Sequence, residues 1–570
     1  MTRETSAATA ADLDEAASPG GAPAAPDRDW WRGAVIYQIY PRSFGDSNGD
    51  GIGDLPGITR RLAHVASLGA DAVWLSPFMR SPMKDFGYDI SDYRDVDPIF
   101  GTLDDFDALV AEAHRLGLKV IIDQVLSHTS DQHPWFKESR ASRNNPLADW
   151  YVWAEPREDG SPPNNWISVF GGSSWEWSST RRQYYLHNFL TSQPDLNFHH
   201  PAVRAAILAD VRFWLDRGVD GFRLDTVNFY LHDAALRDNP VLPENKRSEV
   251  MAPRNQPYNF QDHVYDKNRP ELIAFLRDFR ALLDEYPAAT SVGEVGERIH
   301  GAELMGEYTS GGDKLHMAYA FDFLSGAMPD VEGVKRVVER VTLKGADGWP
   351  CWAFSNHDVE RHATRWAAGR PDGAAILRLA ASLLLSLRGS VCLYQGEELG
   401  LTEAEIAFED IVDPPGLTYW PEVKTRDGCR TPMVWSAEAP GAGFTQGAVT
   451  WLPIPPEHRP LAVDRAEADP GSLLQFYRAM IALRKAEPAL TRGAIRFLDA
   501  AEGVLVFERE AEGRRLLCAF NLQEAPASLD AAHLRRLAAL PASPLAGTVE
   551  DGGRRLALPG HGSFIGTIET

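Results

Sequence analysis

Three acidic residues in otherwise apolar runs are the best candidates for chemistry in this sequence. Asp225 lies in GFRLDTV, Glu294 in ATSVGEV and Asp358 in CWAFSNHD. Hydrolysis of a glycosidic bond needs two carboxyl groups beside the anomeric carbon: one attacks the carbon or activates water, and the other donates a proton to the leaving oxygen. Asp225 and Glu294 are the best pair for these tasks, so the sequence predicts cleavage of a glycosidic bond.

The residues beside these carboxyl groups predict different protonation states. Arg223 lies two residues before Asp225 on a predicted strand, hence on the same face. Its guanidinium is expected to keep Asp225 ionised, as a nucleophile must be. Glu294 lies between apolar residues, where desolvation and neighbouring carboxylates favour the protonated form that a general acid needs. Taken alone, any one of these acidic residues is better explained by a structural ion pair.

Asp358 supplies a third carboxyl group. It is expected to bind sugar hydroxyls and to support a transition state that resembles an oxocarbenium ion. His357 precedes it in FSNHD and is expected to donate a hydrogen bond there.

Eight short β-rich runs, which alternate with amphipathic helical stretches from Val35 onward, carry these residues. The alternation predicts an α/β fold with a parallel sheet, and eight such units close a (β/α)8 TIM barrel whose catalytic residues project from the C-terminal ends of the strands. Polar and charged residues gather where the runs end, which favours an active site there. The runs are residues 34–40, 71–77, 119–125, 221–227, 289–295, 317–323, 351–358 and 390–398.

The rest of the chain predicts two additions to the barrel and a tail. The segment between the third and fourth runs is rich in Trp, Pro, Asn and Gly and too long for an ordinary βα connection, which predicts an inserted subdomain. Short alternating strands near the end predict an antiparallel β domain. The Ala-, Pro- and acid-rich start predicts a disordered tail without a signal peptide. The predicted domains are a tail over 1–27, the catalytic barrel over 28–128 and 196–491, the inserted subdomain over 129–195, and the C-terminal β domain over 492–570.

Charge and cysteine content narrow the class of partner. The formal net charge of -23 at pH 7 repels nucleic acids and anionic membrane surfaces. No stretch approaches the ~18 apolar residues of a membrane span. The four cysteines form no CxxC pair, which predicts reduced thiols in a cytoplasmic protein. The charge therefore favours a neutral or cationic partner, and the small oligosaccharide or α-glucoside expected from the motifs described below is neutral. The protein is expected to be a monomer or a homodimer.

Four motifs identify a family that the chain resembles. GFRLDTVN, the Glu of VGEV, FSNHD and DQVLSH occur in the order and spacing of the conserved regions of glycoside hydrolase family 13, the α-amylase family, from about Asp29 to the end of the chain. The resemblance implies that Asp225 is the nucleophile, Glu294 the acid/base and Asp358 the transition-state stabiliser. One departure is Ser127 in DQVLSH, where the family usually has Asn, which affects a minor contact.

Further motifs resemble one branch of the family. QPDLN (Gln193–Asn197) is similar to the marker of the oligo-1,6-glucosidase and α-glucosidase branch. The branch also has a Tyr-Asp pair and an RTPM motif, matched here by Tyr88 and Asp89 in FGYDI and by Arg430 in GCRTPMVW. An ion pair between Asp89 and Arg430 is expected to close the pocket behind one glucose. Such a pocket implies release of a single glucose from the non-reducing end.

The residue after the nucleophile bears on linkage preference. Relatives that cut α-1,6 bonds tend to have Val there, whereas α-1,4 enzymes tend to have a small residue or Thr, and this chain has Thr226. The resemblance therefore predicts an exo-acting retaining α-glucosidase for short α-1,4 substrates such as maltose, with transglucosylation also open. The predicted substrate-binding residues are Tyr88, Asp89, His128, Phe170, Arg223, Thr226, His357 and Arg430.

Other activities on the same barrel remain open from sequence. An oligo-1,6-glucosidase, a sucrose or maltose isomerase and a transglucosylase share the covalent glucosyl intermediate. The Arg-rich loop typical of sucrose isomerases is not seen in VERHATRWAAG. A non-enzymatic, transporter-associated homologue would need a membrane anchor and usually loses the catalytic carboxylates, and neither feature is present here.

A Gly-rich acidic loop, DSNGDGIGD, predicts a structural metal site. Its side-chain oxygens alternate with glycines at 49, 51 and 53, as at the start of an oxygen-ligand Ca²⁺ loop, but an EF-hand needs Glu where this chain has Gly57. Similar loops in this enzyme branch bind one Ca²⁺ or Mg²⁺, and an unliganded turn is the alternative. No organic cofactor is expected. The predicted ligands are Asp46, Asn48, Asp50, Asp54 and the carbonyl of Ile52.

Overall fold

The structure is a computed structural model that describes residues 27–247, 256–297, 299–343, 345, 347–422, 424–530, 536–541 and 543–569. The tail predicted over residues 1–27 therefore lies, except for Asp27, outside the described residues. In the described part of the chain, no helix combines the length and the apolar character that crossing a membrane requires.

Eight parallel strands form the central sheet. They are β1 (Val35–Ile39), β2 (Ala72–Leu75), β3 (Lys119–Gln124), β4 (Gly221–Leu224), β5 (Thr290–Val295), β6 (Met317–Ala320), β7 (Cys351–Trp352) and β8 (Ser390–Tyr394). Their order across the sheet is β6-β5-β4-β3-β2-β1-β8-β7. A parallel bridge between Ala318 and Pro350 brings β6 beside β7 and closes the ring. The predicted (β/α)8 barrel is confirmed.

Helices connect successive strands, and their starts follow local capping rules. The Asp54 side chain accepts a hydrogen bond from the amide of Gly57 and so caps the first helix. Thr102 and Asp105 form a capping box at the start of the second. The helices are α1 (Leu55–Leu68), α2 (Leu103–Arg115), α3 (Pro134–Ala141), α4 (Pro201–Asp216), α5 (Leu272–Leu283), α6 (Gly301–Thr309), α7 (Val331–Arg340), α8 (Gly373–Leu384), α9 (Pro414–Tyr419), α10 (Val463–Ala468), α11 (Leu473–Ala486) and α12 (Pro488–Thr491).

Side chains alternate between the two faces of each barrel strand, and both faces are buried. Trp74, Ile121 and Tyr319 belong to a cluster that fills the inside of the ring. Val73 and Ile122, their neighbours along β2 and β3, belong to the larger cluster between the ring and the helices. Functional polar groups are therefore concentrated at the strand ends, where the ring opens.

The two predicted additions to the barrel are present. Between β3 and β4, helix α3 and a three-stranded antiparallel sheet (Trp153–Ala154, Trp175–Ser178 and Gln183–Leu186) form the inserted subdomain. A two-stranded sheet (Met79–Arg80 and Asp92–Val96) follows β2.

The end of the chain forms two antiparallel sheets that share an apolar cluster. Their orders are β9-β10-β11-β16-β13 and β12-β15-β14, where the strands are β9 (Ala494–Leu498), β10 (Val504–Ala511), β11 (Arg514–Asn521), β12 (Ala527–Asp530), β13 (Arg536–Ala539), β14 (Thr548–Glu550), β15 (Arg555–Leu558) and β16 (Ser563–Glu569).

Two strands end earlier than predicted, and both ends matter for the site. β4 stops at Leu224 because Thr226 adopts a left-handed conformation, with φ 38° and ψ 48°, which turns the chain. β7 has only two residues, so Asp358 lies well beyond its end. Asp225 and Asp358 consequently lie on turns at the mouth of the barrel rather than within strands.

Candidate active site

A cavity of about 160 Å³ lies at the C-terminal ends of the strands and has room for about one sugar ring. All three predicted catalytic carboxyl groups line it, as do four of the predicted substrate-binding residues. Arg223, His357, Asp89 and Arg430 do not line it. The lining residues are Asp85, Tyr88, His128, Val169, Phe170, Phe189, Gln193, Asp225, Thr226, Glu294, Phe321, Asp358, Val359 and Arg426.

A single buried guanidinium joins the nucleophile and acid/base candidates. The register between β3 and β4 sets Asp123 opposite Arg223. Arg223 Nη1 donates to Asp123 Oδ1 and to Asp225 Oδ1, each at 2.7 Å, and Nη2 lies 2.6 Å from Glu294 Oε2. Tyr319 accepts from Arg223 Nε at 3.1 Å and completes its surroundings. Arg223 therefore acts behind the cavity, by fixing the two carboxyl groups that face it.

The pKa of Asp225 is raised, although the sequence predicted that Arg223 would keep this group ionised. Burial raises the pKa of Asp225 to about 7, although Arg223 pulls it downwards. Burial also raises the pKa of Glu294 to about 7, against the same guanidinium. One cation cannot offset the desolvation of several carboxyl groups, so Arg223 alone does not hold Asp225 ionised. The pKa values of Asp225 and Glu294 therefore both lie near neutral pH.

The contacts of Asp225 and Glu294 indicate which of the two groups is protonated. Both oxygens of Asp225 accept hydrogen bonds, Oδ1 from Arg223 and Oδ2 from the Thr226 hydroxyl at 3.1 Å. The contacts of Glu294 converge on Oε2, which Arg223 and the Thr226 amide, at 3.0 Å, both approach. Donors stabilise the ionised form at Asp225, and Oε1 of Glu294 is left for the proton. These contacts favour an ionised Asp225 beside a protonated Glu294.

Asp358 carries a fixed negative charge. Burial raises its pKa, but His357, Arg426 and Arg430 outweigh that effect and hold the pKa of Asp358 well below its usual range. Arg430 Nη2 and Arg426 Nη1 lie 2.9 Å and 3.2 Å from Asp358 Oδ1. Burial lowers the pKa of His357 to about 3, so this ring is neutral and acts by hydrogen bonding, while the two arginines supply the positive charge. A fixed anion here suits a transition state that gains positive charge.

The two predicted histidines are oriented by their neighbours. His357 stacks on Tyr88 with ring centroids 5.3 Å apart, and its Nδ1 accepts from Gln38 at 2.8 Å, which leaves a proton on Nε2. His128 donates from Nε2 to the Tyr88 carbonyl at 2.9 Å and accepts from the Ser127 hydroxyl at 2.8 Å. Burial lowers the pKa of His128 to about 4, so it too is neutral. Both rings are hydrogen-bonding groups rather than cations.

The ion pair predicted between Asp89 and Arg430 is not formed. Asp89 accepts from the Ser81 hydroxyl at 2.8 Å and from the amides of Lys84 and Asp85, each at 3.0 Å, so it fixes the turn after β2. Arg430 instead contacts Asp358 and donates to the His357 carbonyl at 2.7 Å. Neither Asp89 nor Arg430 lines the cavity that this pair was expected to close.

Asp85 and Arg426 occupy the position that was predicted for Asp89 and Arg430. Arg426 Nη2 lies 2.9 Å from Asp85 Oδ1 and 2.7 Å from Asp413 Oδ1. Gln193, which the sequence indicated only as part of a branch marker, donates to Asp85 Oδ2 at 3.0 Å. Asp85, Arg426 and Gln193 all line the cavity. The prediction therefore assigned the ion pair to residues four positions too late in both segments.

We expect Asp85→Asn to lower kcat/KM for maltose by about 10- to 100-fold, because the partner of Arg426 loses its negative charge and the acceptor of Gln193 becomes a donor. The matched control is Asp89→Asn, which removes the same charge four residues away and keeps an acceptor for the turn. It should change kcat/KM by less than about threefold. Initial rates with maltose measure both, and a larger loss for the Asp89 variant would contradict this placement.

Thr226 contacts both Asp225 and Glu294 from a strained backbone conformation. A β-branched residue with positive φ costs roughly 1–3 kcal/mol, and such strain clusters at functional sites. The conformation directs the Thr226 amide to Glu294 and the hydroxyl to Asp225. The hydroxyl of Ser127, the residue that departs from the family pattern, lies 3.4 Å from the Thr226 hydroxyl.

The predicted metal loop is held together by its own hydrogen bonds. Asp46 Oδ1 accepts from the amides of Asn48 and Gly49, and Oδ2 accepts from Gly51 and from Thr445. Across the described residues, no group of three or more His, Cys, Asp or Glu side chains converges as a metal site would require. The oxygen donors have the chemistry that suits Ca²⁺, but their arrangement does not by itself require an ion.

Comparisons with known proteins agree with this geometry. The family model described as "Alpha amylase, catalytic domain" matches residues 38–493, and the one described as "Maltogenic Amylase, C-terminal domain" matches residues 495–565. A "Probable alpha-glucosidase" of Rhizobium meliloti (strain 1021) is 58% identical over 543 residues, covering 95% of this chain and 98% of the relative. An "Oligo-1,6-glucosidase" of Heyndrickxia coagulans is 38% identical over 538 residues, covering 88% and 94%.

Solved structures show the same similarity. The α-glucosyl transfer enzyme XgtA superposes with a TM-score of 0.90 and 54% identity, covering 95% of this chain and 99% of that one. The trehalulose synthase MutB from Pseudomonas mesoacidophila MX-45 superposes with a TM-score of 0.83 and 33% identity, covering 96% and 100%. Together with the barrel and its three carboxyl groups, these matches show that the chain belongs to the α-amylase family, glycoside hydrolase family 13.

Proposed function

We propose that this enzyme is an exo-acting retaining α-glucosidase that releases glucose from the non-reducing end of short α-1,4-linked substrates such as maltose. The observation that carries the proposal is a cavity for about one sugar ring, with Asp225 and Glu294 held by one guanidinium and Asp85 and Arg426 in its wall. A cavity of this size suits one terminal glucose better than the interior of a chain, which supports cleavage next to the non-reducing end.

The reaction follows from the roles of the two carboxyl groups. A lone pair of Asp225 attacks C1 of the glucose, the C1–O bond breaks towards the glycosidic oxygen, and that oxygen takes the proton of Glu294. In the second step Glu294 removes a proton from water, the water oxygen attacks C1, and the C1–Asp225 bond breaks towards the carboxylate. Asp358 stabilises the positive charge that develops at C1 in both steps.

Transfer to a sugar is the second candidate for the fate of the intermediate. The 54% identical structure is that of an α-glucosyl transfer enzyme, and a second similar structure is that of a trehalulose synthase. The first of these names describes transfer of a glucosyl group, and the second describes synthesis of a sugar. We propose hydrolysis with transglucosylation at high sugar concentration.

The experiment that tests the proposal compares maltose, isomaltose and sucrose as substrates, with products separated by chromatography. Thr226 supports the α-1,4 preference through the family resemblance, so kcat/KM should be higher for maltose than for isomaltose. Glucose should be the main product at low substrate concentration. Faster cleavage of isomaltose would support an oligo-1,6-glucosidase instead, and conversion of sucrose into an isomeric disaccharide would support an isomerase.

We also propose a cytoplasmic enzyme, as a monomer or a homodimer. The support is that all four cysteines are free and buried, as expected where thiols stay reduced. Light scattering coupled to size-exclusion chromatography distinguishes the two oligomeric states, and a larger assembly would contradict this part of the proposal.

We further propose that residues Asp46 to Asp54 bind one Ca²⁺ or Mg²⁺ with a structural role. The support is the oxygen-only donor set and the family resemblance, and hydrogen bonds from Thr445 and the loop amides keep the pKa of Asp46 low in spite of its burial. Added Ca²⁺ should raise the Tm by about 2 °C or more and EDTA should reverse this. Asp50→Ala should abolish the effect, and an unchanged Tm with the ion would contradict it.

A further inference from the structure

Among the described residues, the Thr226 hydroxyl is the one hydroxyl group that donates a hydrogen bond to Asp225. This hydroxyl makes no hydrogen bond to Glu294. It is buried, and its hydroxyl donates to Asp225 Oδ2 at 3.1 Å. The contact with Glu294 is made by the backbone amide instead, at 3.0 Å. A substitution at residue 226 can therefore remove the hydrogen bond to the nucleophile and keep the one to the acid/base.

The charge on Asp225 changes during the reaction, and the strength of this hydrogen bond changes with it. A carboxylate is a stronger acceptor than a neutral ester, because hydrogen bonds to ionised groups are about twice as strong as neutral ones. Forming the glucosyl ester removes the charge from both oxygens of Asp225, whichever of them bonds to C1. Breaking the ester restores the charge, so the same hydroxyl hinders the first step slightly and assists the second.

We propose that the Thr226 hydroxyl is a positioning group for the second half of the reaction, in which it stabilises the Asp225 carboxylate as it leaves C1. In that step a water oxygen forms its bond to C1, Glu294 takes the water proton, and the C1–O bond electrons return to Asp225. Arg223 cannot supply this stabilisation to Asp225 alone, because it also contacts Asp123 and Glu294. The inference rests on the proposed retaining mechanism.

The local structure keeps the hydroxyl in place for this role. Two hydrogen bonds hold the left-handed backbone of Thr226. The Thr226 amide donates to Glu294 Oε2, and the Phe229 amide donates to the Thr226 carbonyl at 2.9 Å. Ser127 Oγ lies 3.4 Å from the Thr226 hydroxyl on the other side. The rotamer is therefore restricted by both the backbone and a neighbouring hydroxyl, which is the arrangement of a preorganised donor.

The test compares Thr226→Val with Thr226→Ser on p-nitrophenyl α-D-glucopyranoside. Valine keeps the shape and the β-branching of threonine but has no donor, and serine keeps the donor. The aryl leaving group departs easily, so the first step is fast and the substrate has no sugar–sugar linkage that residue 226 could select. Circular dichroism and Tm confirm that both variants are folded.

We expect kcat of Thr226→Val to fall by about tenfold, from the loss of one charge-assisted hydrogen bond. KM should fall by a similar factor, so kcat/KM stays within about threefold, and a burst of one p-nitrophenol per active site should precede the steady state. Mass spectrometry of the quenched burst should find a hexosyl adduct on Asp225. Thr226→Ser should restore kcat to within about threefold.

Two results would overturn the inference: unchanged kcat and KM in Thr226→Val, or a fall in kcat/KM as large as the fall in kcat with no burst. Either result would show that the hydroxyl does not act on the departing carboxylate. Absence of p-nitrophenol release by the unmodified enzyme would instead contradict the proposed function, and the inference with it.

Discussion

Replacing Asp225 by Asn is expected to lower kcat for maltose by roughly 10⁴-fold or more, because the amide cannot form the glucosyl ester. The fold should survive, since Arg223 keeps Asp123 and Glu294 as partners. Steady-state rates measure the loss, and the Tm measures the fold. Retained turnover would remove Asp225 from the role of nucleophile.

The matched control is Asp123→Asn, because Asp123 touches the same Arg223 nitrogen as Asp225 at the same 2.7 Å. Both changes remove one buried charge from the same guanidinium, but Asp123 does not line the cavity. Its loss of kcat should be smaller by at least about 100-fold. Equal losses in the two variants would mean that the alignment of Arg223, and not covalent catalysis by Asp225, accounts for the effect.

Replacing Glu294 by Gln is expected to lower kcat/KM for maltose by about 10³-fold, within the usual range for a general acid. The effect on the first step should be far smaller for p-nitrophenyl α-D-glucopyranoside, because its leaving group needs little protonation. Glutamine preserves the shape and an acceptor for Arg223 and for the Thr226 amide. The ratio of the two losses therefore isolates proton donation.

The pH dependence provides a second measure of Glu294. Burial raises the pKa of Glu294 to about 7, so its acid form is present below that pH and is lost as pH rises through it. The alkaline limb of kcat/KM for maltose should therefore fall near pH 7 and disappear in the Gln variant. Glu297→Gln is the control. Lys267 and local hydrogen bonds outweigh burial and lower the pKa of Glu297 to about 2. Replacing Glu297 should therefore leave the alkaline limb of kcat/KM in place. An unchanged limb in Glu294→Gln would contradict its role as acid.

The fold could be predicted from sequence because the evidence for it is repeated along the chain. Eight apolar runs separated by amphipathic helices have few arrangements other than a closed parallel barrel. Asp225, Glu294 and Asp358 could be predicted for the same reason, since each follows or lies within one of these runs, and the ends of parallel strands meet at one opening.

The pocket wall could not be predicted, because spacing alone does not distinguish two similar residues. KDFGYDI contains both Asp85 and Asp89, and RDGCR contains both Arg426 and Arg430. Only the tertiary structure shows that Asp89 fixes its own turn while Asp85 lies at the cavity. A pattern of one acid and one base per segment was consistent with either pairing.

The raised pKa of Asp225 could not be predicted from the sequence either. Arg223 two residues away indicated a lowered pKa, but the pKa depends on how many carboxyl groups share the guanidinium and how deeply all of them are buried. The structure shows three carboxyl groups around one cation. The same limit applies to Thr226, whose left-handed backbone no propensity rule would assign to a β-branched residue.

The central claim is that cleavage proceeds through a glucosyl ester on Asp225 with net retention at C1. The most direct test is the ¹H NMR spectrum of the first glucose released from p-nitrophenyl α-D-glucopyranoside, whose only sugar product is the cleaved glucose, recorded before mutarotation mixes the anomers. Two displacements at C1 predict that α-glucose appears first and that the β-anomer grows in later. Release of β-glucose first would require a single displacement by water and would contradict the account.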